Sequence, residues 1–124
     1  MATTAKTYVD GFVIPIPIAN RAAYKKMAKE AAAVWRKHGA LDYKECRADD
    51  ITPEMVVFTF PKMAKVKEGE EVWFSYIVFA SKAERKRINK AVMKELEELY
   101  KDKPMPMPFD MKRFAYGGFT VEVE

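Results

Sequence analysis

The stretch VWFSYIVFA, from Val72 to Ala80, limits the possible folds of this chain more than any other. Its β-branched and aromatic side chains read as a strand. On a period of two, one face carries Val72, Phe74, Tyr76 and Val78, and the other carries Trp73, Ser75, Ile77 and Phe79. Both faces are apolar. A strand with one wet side alternates apolar with polar residues, so this one needs cover on both sides. The chain has 124 residues, a length that suits a single domain spanning 1–124. Two helices, all that a chain of this size provides below, cover one side of a small sheet. A second copy of the chain is the simplest cover for the other.

The remaining elements follow from periodicity. YVDGFVIPIPI (Tyr8 to Ile18) is a strand whose far end, with Pro15 and Pro17, lies at an edge or leaves the sheet, because proline donates no ladder hydrogen bond. Asn20 is placed to cap a helix that Gly39 closes. Tyr24, Met27, Ala28, Ala31, Trp35 and His38 share one face of it, with lysines and Arg36 largely opposite. LDYKECRAD (Leu41 to Asp49) alternates Leu41, Tyr43 and Glu45 against Asp42, Lys44 and Cys46, a second strand with at least one wet face. MVVFTF (Met55 to Phe60) predicts a short strand, and PKMAKVKEGEE a loop turning at Gly69. Ser81 and Glu84 form a capping box for a helix with Ile88, Ala91, Val92, Leu96 and Leu99 as its buried stripe. KRFAYGGFTVEVE is the last strand. The order β-α-β-(short β)-β-α-β predicts an α+β, ferredoxin-like fold: an antiparallel sheet with both helices on one face.

Charge and cysteine content narrow the partners. Lys and Arg number 22 and Asp and Glu 18, a net charge of +4, with bases and acids interleaved on both helices. That is a solvated surface rather than a nucleic-acid footprint, and no aromatic-interleaved basic motif accompanies it. Cys46 is the one cysteine, so no disulfide forms within the chain. No apolar run is long enough to span a membrane, and MATTAKTYVDGF lacks the apolar stretch of a signal peptide. The expected location is the cytoplasm.

Four blocks carry a resemblance: YVDGFVIPIP, VWRKHGALDYKEC, EGEEVWFSYIVFASKAER and PMPFDMKRFAYGGF. Together they resemble the bacterial YbaA-like domain family of unknown function over nearly the whole chain. The family looks like a member of the dimeric α+β barrel superfamily, in which two ferredoxin-like subunits close their sheets into a shared barrel. The resemblance thus implies a homodimer formed through the sheet face. By the superfamily's habit it also implies a pocket between helices and sheet in each subunit, where a small molecule binds or a cofactor-light enzyme works. The alternative is a non-enzymatic interaction or nucleic-acid-associated protein.

Candidate ligand-binding residues are Asp10, Tyr24, Trp35, His38, Tyr76, Asp110, Arg113 and Tyr116. Asp10 interrupts an apolar strand, where an acid must be paired or solvated. It either pairs, for example with Arg113, or uses the room that Gly11 leaves for a ligand. Trp35 and Tyr24 form a pocket wall or part of the core. His38 either acts as a base or haem ligand, as in some relatives of the superfamily, or meets the free carbonyls at the end of its helix. Arg113 either clamps an anion or pairs with Asp110 or a sister subunit. One histidine and one cysteine make no zinc set, and no metal site is predicted. Met105, Met107 and Met111, alternating with prolines, read as packing residues rather than a copper site. No cofactor is predicted, with haem left open.

Overall fold

A computed structural model of the chain describes residues 6–104 and 107–124. The elements are β1 (Tyr8–Pro17), α1 (Arg21–Lys37), β2 (Asp42–Arg47), α2 (Phe60–Ala64), β3 (Glu70–Phe79), α3 (Lys82–Leu99) and β4 (Ala115–Thr120). Short 3-10 turns stand at Ile18–Asn20 and Met111–Arg113. The strands form one antiparallel sheet in the order β2-β3-β1-β4. This is the ferredoxin-like α+β arrangement. Among the described residues no helix is long and apolar enough to cross a membrane.

The register fixes which side chains share a face. Tyr8 lies opposite Phe79, Asp10 opposite Ile77, Phe12 opposite Ser75 and Ile14 opposite Trp73. These residues face the helices, and two apolar clusters join them to α1 and α3. One holds Tyr8, Val34, Tyr43, Ile77, Phe79, Ile88 and Val92, the other Ile14, Ile16, Tyr24, Ala28 and Trp73. The opposite face carries Val9, Gly11, Val13, Phe74, Tyr76, Val78, Gly117 and Phe119. Within one chain little covers it: α2 sets Phe60 edge-on to Phe74, yet Phe74 stays 42% and Phe119 63% exposed.

Local chemistry explains most boundaries. Pro15 and Pro17 pair with β3, but β4 stops opposite Val13, so their missing N–H groups fall where β1 has a neighbour on one side only. Ser81 caps α3 by accepting from the Glu84 N–H at 3.1 Å. The Glu84 carboxylate takes the Arg87 guanidinium instead of returning to the Ser81 backbone, so only half of the capping box forms. Gly39 sits at φ +116°, in the left-handed region that closes α1.

Two expectations are corrected. Asn20 occupies the N-cap position of α1 but makes no side-chain cap; its Nδ2 donates to the Pro108 carbonyl at 2.9 Å and ties down the C-terminal segment. Met55 to Phe60 forms no strand. Thr59 caps α2 by accepting from the Lys62 N–H, and Pro61 opens the helix. Pro61 has no ladder donor and a φ already set for a first helical turn, which decides the local structure against the β-branched run before it. Of the alternating methionines, Met105 lies outside the described residues.

Candidate functional site

Between α1, α3, the sheet and the segment around Met107 to Phe114 lies a cavity of about 1000 Å³. Its walls are overwhelmingly apolar: Phe12 and Ile14 from β1, Met27, Ala31 and Val34 from α1, Met93 and Leu96 from α3, and Phe109 and Phe114 from the last connection. The methionines that alternate with proline contribute Met107 and Met111 to this wall. Small α1 residues make the space. Ala28, Ala31 and Ala33 place methyl groups where larger side chains would fill it.

One carboxylate is held on the sheet wall of the cavity. The alternation of β2 turns Tyr43 and Glu45 toward the helices, opposite Ile77 and Ser75 of β3. Tyr24 Oη of α1 donates to Glu45 Oε1 at 2.6 Å, and Tyr43 Oη donates to Oε2 at 2.7 Å. Ser75, opposite Glu45 on β3, brings a third hydroxyl beside it. Burial pushes the Glu45 carboxyl above the ordinary carboxylate range; the three hydroxyls favour its charged form and offset this only in part. Burial likewise raises both phenols, and the adjacent Glu45 raises them further. The site is an acid that can exchange a proton nearer neutrality, set among rings and held by neutral donors.

A second polar cluster lies along the sheet. Asp10 is 1% exposed and pairs with Arg85 of α3, whose Nε and Nη2 reach Oδ1 at 3.0 and 2.9 Å. Asn89 donates to Asp10 Oδ2 at 3.2 Å and accepts from Trp35 Nε1 at 3.0 Å. Arg85 also donates to Tyr116 Oη at 2.6 Å and lies over the rings of Tyr8 and Tyr116. Trp35 therefore belongs to both places, its ring lining the cavity and its N–H anchored in this network.

The structure sorts the sequence-derived candidates. Tyr24 and Trp35 line the cavity. Asp10 and Tyr116 share the Arg85 cluster, and Tyr116 stacks on the cavity residue Phe12 at 4.9 Å. Tyr76 is on the opposite face of the sheet, paired across from Gly11 and Lys44, and does not reach this cavity. His38 follows the last residue of α1, and its Nε2 is 2.8 Å from Glu95, which also takes Lys37. Hydrogen bonds from Lys37 and then His38 hold the Glu95 carboxyl below its usual range. Arg113 does not meet Asp10; it grips Glu70 with two nitrogens and the Lys65 carbonyl with one. Asp110 caps the 3-10 turn by accepting from the Lys112 N–H. Among the described residues no group of three or more His, Cys, Asp or Glu comes together as a metal-binding set.

Sequence reasoning missed Glu45, Tyr43, Ser75 and Arg85. A signal for Glu45 is present in Y-x-E, an acid two residues from an aromatic on one strand face, but spacing alone leaves open which face turns inward.

The family model described as a protein of unknown function (DUF1428) matches residues 7–111. The chain belongs to this family. Its member in Escherichia coli strain K12, the uncharacterized protein YbaA, is 42% identical over 112 residues, covering 90% of this chain and 93% of that protein. The YbaA of Shigella flexneri matches to the same extent. Two solved structures share the fold at 12% identity. A variant of SnoaB, a cofactor-independent oxygenase from Streptomyces nogalater, superposes with a TM-score of 0.58 over 97% of each chain. A dimeric ferredoxin-like protein from an uncultured marine organism gives 0.54, over 96% of this chain and 99% of that one.

Proposed function

We propose that this protein is a homodimer, joined through its open sheet face, that binds a small molecule with a largely apolar body in the cavity of each subunit. The observation that carries the reading is Glu45: a titratable carboxyl held at 2.6 and 2.7 Å by two tyrosines inside an apolar cavity of about 1000 Å³. Ligand sites combine a largely apolar wall with a few fixed polar groups in this way. A carboxyl with a raised proton affinity, beside two phenols, supplies the parts for moving a proton to or from a bound molecule. The enzyme-like half of the reading rests on that. The apolar sheet face and the dimeric neighbour support self-association. The single cysteine, exposed and free, suits a reducing cytoplasm.

Thermal denaturation with a panel of apolar metabolites tests the binding. Some should raise the melting temperature of the wild type, and Ala31→Phe, which fills the cavity from α1, should abolish the shift. A panel and an apolar dye that both leave the wild type unchanged would overturn the reading.

A further inference from the structure

The cavity reading can be taken to a ligand class. We propose that the cavity selects a hydrophobic cation: an amine on an aromatic or branched aliphatic body, its ammonium group seated at Glu45. The inference rests on the cavity being a ligand site.

The way this chain treats its other sheltered carboxylates sets Glu45 apart. Asp10 is paired with Arg85, Glu70 with Arg113 and Glu71 with Arg21. Glu45 has hydroxyl partners only, and among the described residues no Lys, Arg or His lies within ion-pair distance of it. Hydroxyls satisfy the oxygens of a carboxylate but leave its charge unbalanced. In an apolar cavity the balance can come from a proton or from a ligand that brings a cation.

Two further observations favour the cation. The charged residues lining the cavity are Glu30, Glu45, Glu97 and Lys103, a net −2 in a chain of net +4. Basic side chains dominate the molecule, yet acids dominate this one concave surface. The rings bonded to Glu45 through their hydroxyls are those of Tyr24 and Tyr43, and Trp35 lines the same cavity with its centroid 5.9 Å from that of Tyr43. Aromatic faces carry negative potential and attract ammonium groups, the more so out of water. An anionic ligand would meet Glu45 with Lys103 as the one lining cation, and a neutral ligand would leave the charge where it stands.

Three probes of one shape separate these cases: 1-naphthylmethylamine, 1-naphthalenemethanol and 1-naphthoate, titrated calorimetrically into the full-length protein at one neutral pH. The amine should bind at least about tenfold more tightly than the alcohol, the scale of a charge-assisted contact, and the naphthoate most weakly. Glu45→Gln, which keeps shape and hydrogen bonding, should bring amine and alcohol to within about twofold. The wild-type ratio decides without any variant. An alcohol or naphthoate that binds as tightly as the amine overturns the cation while leaving the cavity a ligand site. A wild type that takes up none of the three nor an apolar dye overturns the cavity reading itself. An amine preference that survives in Glu45→Gln overturns the seat at Glu45.

Discussion

Glu45 and Asp10 are both carboxylates sheltered under helices, and the chain solves the two cases differently. Asp10 is neutralised by Arg85, so removing it leaves a partly sheltered guanidinium, 19% exposed, with the Tyr116 hydroxyl as its remaining side-chain partner. Asp10→Ala should cost about 3–5 kcal/mol, read as a fall in the urea midpoint. Glu45 is shifted in the opposite sense to Asp42, Glu70, Glu71 and Glu95. Its folded-state affinity for a proton is raised above the unfolded value of 4.5, so its contribution to stability is present below that value. It is lost as pH rises through the folded value. The titratable groups that face it are Tyr24 and Tyr43, both pushed up. Wild type should therefore lose stability relative to Glu45→Gln as pH climbs from about 4.5, which paired melting curves would detect. Glu70 and Glu71, depressed by Arg113 and Arg21, work in the opposite sense and lose their contribution as pH falls. These pairings were hard to read in the sequence. Asp10 and Arg85 lie 75 positions apart, and only the adjacency of β1 and α3 joins them. Arg113, nearer the end of the chain, looked equally suitable until the fold sent it to Glu70.

Among elements, β4 shows how a missing side chain can set a strand's position. A Cβ on Gly118 would stand 2.4 Å from Tyr8 Oη, beneath the ring that Arg85 covers. Gly118→Ala should cost about 1–3 kcal/mol through overpacking. Gly117→Ala should cost less, since its added carbon would meet nothing nearer than Phe119 at 3.8 Å. A thermal melt of the two variants checks the order. Paired glycines in a strand mark a bulge or a close approach without saying which of them makes it. The element order was legible from hydrophobic period and cap residues, because those signals are local. The face of β3 was not. Both of its faces are apolar, so period two divides the residues into two sets without saying which set meets the helices, and Tyr76 fell on the other side. Met55 to Phe60 failed for a local reason: Thr59 and Pro61 impose a helix start on a run whose composition suits a strand.

At the scale of the whole molecule the fold leaves one broad sheet face open and puts the cavity on the opposite side. Phe74 and Phe119 stand on this open face, with Val13 opposite Phe74 and Val9 opposite Phe119 on β1. Light scattering on the eluting peak should give a dimer for the wild type and a monomer for Phe74→Glu combined with Phe119→Glu. The double variant should keep binding in the cavity, since neither residue lines it. The arrangement of the two tryptophans has a practical consequence. Trp35 faces the cavity, whereas Trp73 is buried 5.0 Å from the Tyr24 ring. Occupancy should thus alter the emission of one indole and leave its deeper companion as an internal standard. Trp73→Phe would turn the chain into its own single-fluorophore sensor, readable without a label.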